Sequence, residues 1–226
     1  MKRFAGKRVV VTGGTRGIGR AIVERLLEEG ASVCFSSRKQ KAVDATVSAL
    51  TATHGPQRVY GVVAHLGKGS RQALIERAVE LWGEVDEDGE RGGSCIDGLV
   101  LNAAISPANT TNVLGTEEDN FAKVLGTNVT ANAMLVQQAA PFLVPDTGAV
   151  VFISSVAAYQ PSFPIPVYGQ YFACLCLSCA SLHLKRFNIT GTLCIAQLFS
   201  YVCRVDCRRV ENCSAWSRNC ARKRIG

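Results

Sequence analysis

A short segment near the start of the chain combines glycines, hydroxyl groups and one cation at close spacing. Thr12 to Gly19 read TGGTRGIG, with an apolar run before them and a helical pattern after them. Such glycines let the backbone turn tightly and approach a pyrophosphate, whose charge then meets the N-terminus of the following helix. A glycine-rich turn without a ligand is the alternative. The segment predicts dinucleotide binding through residues Gly13, Thr15, Arg16, Gly17, Ile18 and Gly19.

Hydroxyl and basic side chains follow the second predicted strand, at Ser37, Arg38 and Lys39. A site for NAD usually places a carboxylate there to hold the ribose 2′-hydroxyl, whereas the first acidic residue here is Asp44. Serine, arginine and lysine instead bind a 2′-phosphate through charge-assisted hydrogen bonds, and Arg16 can reach the same region. The pattern therefore predicts NADP(H) as the cofactor. A solvated helix start is the alternative.

These residues need strands and helices to position them, and the first 168 residues alternate the two. Short apolar runs predict strands at 8–12, 32–36, 59–64, 96–101 and 149–154. Apolar residues at helical spacing predict helices at 17–29, 39–53, 71–82 and 117–143. The alternation indicates right-handed parallel crossovers. The predicted fold class is α/β, a Rossmann-like doubly wound parallel sheet in a single domain, with no recognisable strand after the fifth. The acidic, glycine-rich stretch 84–95 is interpreted as a solvated surface loop, with calcium binding as the alternative.

Further candidate site residues lie in the later part of the alternating pattern. Asn102, Ala103 and Ala104 come after the fourth strand, and Asn128 lies in the long helix. Ser155 ends the fifth strand, and Tyr168 follows 13 residues later. Together with the glycine turn, this set resembles the short-chain dehydrogenase/reductase family. TGGTRGIG is similar to the family's cofactor turn and LNAA to its Asn-Asn-Ala-Gly segment, with departures at Leu101 and Ala104. The stretches SSRKQKAVDATVSAL and AHLGK further resemble the NADP-dependent carbonyl and retinal reductases of the dehydrogenase/reductase member 4 group. The resemblance covers residues 4–168.

The resemblance implies interconversion of a carbonyl and an alcohol with NADP(H), and it assigns roles to particular residues. Tyr168 becomes the general acid that gives its proton to the carbonyl oxygen, and Ser155 donates a second hydrogen bond to the developing oxyanion. Asn128 completes the catalytic set. The resemblance places the adenine beside His65 and Leu66, and it assigns cofactor contacts to Asn102, Ala103 and Ala104.

One catalytic residue of the family is missing from this chain. A tyrosine titrates near pH 10, so it needs a cation to stabilise its phenolate near neutrality. The family supplies a lysine four residues after the tyrosine, whereas this chain has Phe172. The next lysine is Lys185, 17 residues after Tyr168, which is roughly 25 Å along a helix. We therefore expect weak or absent turnover. The alternative is an inactive truncated or splice-variant family member that binds nucleotide or acts through protein contacts.

The charge and the cysteines divide the chain near residue 169. Residues 1–168 hold 16 basic and 16 acidic residues, and residues 169–226 hold 9 and 2, which is the whole net charge of +7. Eight of the ten cysteines also lie in this second part. We interpret residues 1–168 as the dinucleotide-binding domain and residues 169–226 as a divergent, cysteine-rich, basic segment. A zinc site there is an alternative, but the cysteine spacing fits no finger or ribbon, so no metal is predicted.

The remaining expectations concern partners and location. The basic residues after 169 match no nucleic-acid-binding module, so a small carbonyl or alcohol substrate is the expected partner and nucleic acid is not. The sequence contains no run of 18 apolar residues, so no membrane span is expected. No secretion signal is recognised before the first strand. We expect a cytoplasmic protein, with peroxisome and mitochondrion as alternatives. The resemblance also implies a homo-oligomer.

Overall fold

The computed structural model describes residues 2–66, 70–85, 91–93, 95–106, 117–155 and 190–196. The strands in this part of the chain are β1 (Arg8–Thr12), β2 (Ser32–Ser37), β3 (Val59–Val63), β4 (Glu84–Val85), β5 (Arg91–Gly92), β6 (Gly98–Leu101), β7 (Ala149–Ser155) and β8 (Thr190–Ala196). The helices are α1 (Gly17–Glu28), α2 (Gln40–His54), α3 (Gln72–Trp82), α4 (Glu118–Leu125) and α5 (Ala131–Ala139). A π-helical turn at Gly126–Thr130 joins α4 to α5, and a 3₁₀ turn at Ala140–Phe142 follows α5.

The main sheet has six parallel strands in the order β3-β2-β1-β6-β7-β8. The order reverses between β1 and β6, which makes the carboxyl ends of these two strands the topological switch point where ligands bind in such sheets. The predicted Rossmann-like fold and its first five strands are therefore confirmed. The helix predicted at 117–143 is also present, with the π-helical turn inside it.

The structure adds two features that the sequence did not reveal. Strand β8 extends the sheet, with Thr190–Ala196 paired in register to Ala149–Ser155. The strand begins with the residues TGT, which lack the apolar run by which the other strands were predicted. Backbone pairing with a neighbouring strand does not require apolar side chains. The stretch interpreted as a loop at 84–95 contains a short antiparallel pair, β4 and β5.

Apolar side chains cover both faces of the sheet because successive residues of a strand point to opposite sides. On one face, Val10 of β1 lies in a fully buried cluster with Leu74 of α3 and Leu135 of α5. On the other face, Val11 packs with Leu27 of α1. Helices on both faces leave only the strand ends accessible for polar chemistry. Within the described residues, no helix has both the length and the apolar composition of a membrane span.

An ion-pair cluster ties the starts of β1 and β6 together. The carboxylate of Asp97 accepts hydrogen bonds from Lys7 Nζ at 2.9 Å, from the Arg8 backbone N–H at 2.9 Å and from Arg8 Nε at 3.2 Å. Burial by itself would raise the pKa of Asp97, but the hydrogen bonds from Lys7 and Arg8 outweigh it and hold the pKa below its ordinary value. The charged carboxylate therefore stabilises the fold.

We expect Asp97→Asn to lower the free energy of unfolding by about 1–3 kcal/mol at neutral pH, because an amide presents N–H groups to these donors. Since the folded-state pKa is lowered, this stability is present above the ordinary carboxyl pKa and is lost as the pH falls through the folded value. Urea denaturation at several pH values measures the effect, with Asp44→Asn, an exposed carboxylate on α2, as the control. A deficit of the Asp97 variant that did not shrink at acidic pH would contradict this account.

Candidate functional site

A cleft of about 970 Å³ opens at the carboxyl ends of the parallel strands. Its size is that of a small-molecule site. Its lining includes most of the predicted cofactor contacts, namely Gly13, Thr15, Arg16, Gly17, Ile18, Gly19, Ser37, Arg38, His65, Leu66, Asn102, Ala103 and Ala104. Two side chains predicted to be functional, Lys39 and Asn128, are not among the residues that line it.

The glycine turn between β1 and α1 has the shape that a phosphate cradle needs. Gly17 has φ +55°, which favours glycine, and apart from its chain neighbours and the backbone of its own helix, no atom lies within 4 Å of the point where a Cβ would stand. A Cβ at Gly19 would overlap the Gly13 carbonyl and the Asn102 side chain. The turn is thus tightly packed on the protein side and open toward the cleft. Backbone N–H groups at the start of α1 fit a pyrophosphate there.

The end of β2 presents hydroxyl and guanidinium groups to the cleft. Ser37 Oγ and Thr15 Oγ1 are hydrogen-bonded at 2.9 Å, which ties the glycine turn to β2. The exposed Arg38 lines the cleft beside Ser37. None of the described residues that line the cleft is an aspartate or glutamate. The described walls are therefore electropositive, as an anionic ligand requires.

The segment after β3 forms a second wall held by its own hydrogen bonds. Ser70 Oγ accepts from the His65 backbone N–H at 2.7 Å and donates to the His65 carbonyl at 2.9 Å. Arg71 Nη1 donates to the Leu66 carbonyl at 3.3 Å. These bonds fix the two residues beside which the family resemblance places an adenine ring.

The buried Thr12 hydroxyl joins β1 to β6 at the switch point. Its Oγ1 accepts from the backbone N–H groups of Asn102 and Ala103 at 2.9 and 3.0 Å. The Asn102 side-chain amide in turn donates to the carbonyls of Thr12 and Gly13, at 3.0 and 3.3 Å. We refer to these four hydrogen bonds as the Thr12–Asn102 clamp. The clamp holds the glycine turn against the segment that follows β6.

Asn128 lies in the π-helical turn and is fully buried. Its Oδ1 accepts from the Ile105 backbone N–H at 2.9 Å, and its Nδ2 donates to the Ile105 carbonyl at 2.8 Å. Asn128 therefore anchors the π-helical turn, and with it α4, to the segment that follows β6. The contacts that the structure gives its side chain are those of a positioning residue.

The predicted catalytic set is divided between described and undescribed residues. Ser155 is buried, ends β7 and lines the cleft together with Ser154. Tyr168 and Phe172 lie outside the described residues, as does the cysteine-rich segment apart from strand β8. The catalytic roles of Ser155, Tyr168 and Asn128 stay predictions.

Comparison with known proteins places this arrangement in a family. The family model described as short chain dehydrogenase matches residues 7–170. The chain belongs to the short-chain dehydrogenase family. This confirms the resemblance carried by the sequence motifs.

The relatives of the chain include one human and one rat protein of this family. The human Dehydrogenase/reductase SDR family member 2, mitochondrial, is 39% identical over 167 residues, which are 74% of this chain and 55% of that protein. The rat Dehydrogenase/reductase SDR family member 4 is 41% identical over 158 residues, which are 69% of this chain and 52% of that protein. The chain thus spans about half the length of these curated relatives.

Solved structures of the family share the fold. A short chain dehydrogenase from Burkholderia cenocepacia, solved in complex with NADP, superimposes with a TM-score of 0.72 and is 28% identical. The match covers 84% of this chain and 74% of that one.

The structure also brings residues to the cleft that the family motifs did not select. Those with polar side chains include Arg71 of the wall after β3 and, on the α4 side, Lys123, Thr127 and Thr130. The spacing of the last three is typical of one helix face, so the sequence held a signal for them. Nothing in the sequence showed that this face would line the cleft, because that depends on how Asn128 anchors the helical segment.

We expect Thr12→Val to lower the free energy of unfolding by about 1–3 kcal/mol, because valine keeps the shape of threonine but leaves two half-buried N–H groups, those of Asn102 and Ala103, without their acceptor. Urea denaturation measures the change. Thr46→Val, at a buried threonine of α2 away from the clamp, is the matched control. Equal losses in the two variants would show that the clamp adds nothing to stability.

Proposed function

We propose that this chain binds NADP(H) in the cleft, with the 2′-phosphate held by Ser37, Arg38 and Arg16. The observation that carries the proposal is the open glycine turn beside a β2 end that bears a hydroxyl and a guanidinium. A carboxylate there would repel a 2′-phosphate, and the described lining has none. The similarity to a structure solved with NADP supports the same assignment.

The proposed reaction is the interconversion of a carbonyl and an alcohol. When bound, the cofactor supplies or accepts a hydride at the carbonyl carbon. Ser155 donates a hydrogen bond to the carbonyl oxygen, where negative charge develops. Tyr168 gives its proton to the same oxygen during reduction and takes it back during oxidation. The position of Ser155 at the cleft supports its part in this scheme.

The rate of this reaction is proposed to be low. Phe172 stands where the family keeps the lysine that stabilises a tyrosinate. An apolar ring offers no such charge to a tyrosinate. Loss of one positioned acid–base or electrostatic element costs about 10²–10⁴ in rate. Phe172 equally favours a second candidate, a nucleotide-binding family member without turnover.

We expect Arg38→Ala to weaken NADPH binding by about 1–3 kcal/mol and to change NADH binding little, because Arg38 faces only the additional phosphate. Fluorescence titration of both cofactors measures the two affinities. Lys41→Ala removes one exposed charge from the neighbouring helix outside the cleft and serves as the control. If the unsubstituted chain bound NADH as tightly as NADPH, the cofactor assignment would be wrong.

We expect slow or undetectable NADPH oxidation with aromatic ketones, α-dicarbonyls and retinal. Phe172→Lys alone is expected to recover little. The family's substrate loop follows the sixth strand of the parallel sheet, and in that part of the chain this sequence no longer resembles the family. Absorbance at the NADPH band measures turnover, and Tyr168→Phe provides the background rate. Robust turnover that disappears in Tyr168→Phe would contradict the account, since another group would then have to supply the cation.

A further inference from the structure

Among the described residues, Lys123 is a cation of the cleft without a side-chain partner, as Arg16 and Arg38 also are. Lys123 lines the cleft from α4, and it forms no ion pair or hydrogen bond through its side chain with the rest of the described chain. Asp119, one helical turn earlier, does not approach it within ion-pair distance. With no carboxylate among the described lining residues, the charge of Lys123 is unbalanced there. An unbalanced cation that faces a cleft is complementary to an anion.

The polar groups near Lys123 suit a substrate better than a cofactor phosphate. The hydroxyl-bearing residues Thr127 and Thr130 lie further along the same helical segment and line the cleft, as does Ser155 at the end of β7. Ile105 and Ile153 add apolar surface to the lining. This wall belongs to β6, β7 and α4. The glycine turn and the 2′-phosphate contacts belong to β1 and β2, which lie on the other side of the switch point.

The position of Lys123 is fixed by the fold. Val124, the next residue on α4, is buried against Ile105. Asn128 bonds both backbone groups of Ile105 and so holds the helical segment from its other end. The backbone that carries Lys123 is therefore anchored to the end of β6, while its side chain remains exposed and free to meet a ligand.

We propose that Lys123 binds the carboxylate of the substrate, which makes keto acids the preferred substrate class. The carbonyl group of the keto acid then lies toward Ser155, and the apolar residues contact the remainder of the molecule. This inference rests on the proposed function, because it assumes that NADP(H) occupies the glycine-turn side of the same cleft. It assigns Lys123 to substrate recognition and not to cofactor binding.

Binding to the chain saturated with NADP⁺ tests the proposal without requiring turnover, since the oxidised cofactor cannot reduce a ketone. Isothermal titration calorimetry compares phenylglyoxylate and benzoylpropionate with their methyl esters, which differ from the acids mainly in charge. We expect at least one acid to bind about tenfold more tightly than its ester, as a charge-assisted hydrogen bond provides. The difference should narrow as salt is added. Equal affinities for acid and ester, or no binding of any of the four, would overturn the proposal.

Three variants assign the effect to its residue. Lys123→Gln should abolish the preference for the acid, Lys123→Arg should retain it, and Lys41→Gln, outside the cleft, should leave it unchanged. A preference that survived in Lys123→Gln would overturn the proposal, as would a large loss of NADPH affinity in that variant, which would place Lys123 at the cofactor. If NADP⁺ itself failed to bind to the unsubstituted chain, the proposed function would fail. If NADP⁺ bound but Lys123 had no influence on the acids, only this inference would fail.

Discussion

The Thr12–Asn102 clamp is the contact on which the rest of the site depends. Two strands that are far apart in sequence meet at the switch point of the sheet, and each ends in backbone groups that a strand ladder no longer pairs. The buried Thr12 hydroxyl accepts from two of these groups, while the Asn102 amide returns two bonds to the glycine turn. Because the turn and the segment after β6 are fixed to each other, both walls of the cleft keep one geometry before any ligand arrives. Preorganisation of this kind lowers the ordering cost of binding.

A second set of contacts extends this order toward the substrate side. Asn128 bonds both backbone groups of Ile105, and it lies in a π-helical turn, a distortion frequent at functional sites. The extra residue in such a turn changes which side chains face inward. Here a fully buried amide points to the backbone after β6, while neighbouring side chains of the same helical segment face the cleft. The two halves of the cleft thus share one structural element, the segment between Asn102 and Ile105.

The sequence predicted the parts of the structure that depend on local pattern. Buried strands and amphipathic helices leave a periodic signal, and the glycine turn leaves a motif, so five strands and most cleft residues were anticipated. Strand β8 was missed because its first three residues, Thr190–Thr192, lack an apolar run and its pairing with β7, 34 intervening residues away along the chain, leaves no local signal. The direct contacts of Asn128 and the approach of Lys123 to the cleft also depend on tertiary packing. Lys39 illustrates the reverse case, a motif residue that does not line the cleft.

Hydrogen–deuterium exchange with and without NADP⁺ tests the central claim, that a preformed cradle at the switch point binds the cofactor. The account predicts that NADP⁺ slows exchange in residues 13–19, in residues 36–38 and in residues 102–105, because the ligand covers these backbone amides. Residues of the short β4–β5 pair, which lie away from the cleft lining, should exchange at an unchanged rate. Protection confined to other parts of the chain, or no protection at saturating NADP⁺, would contradict the account.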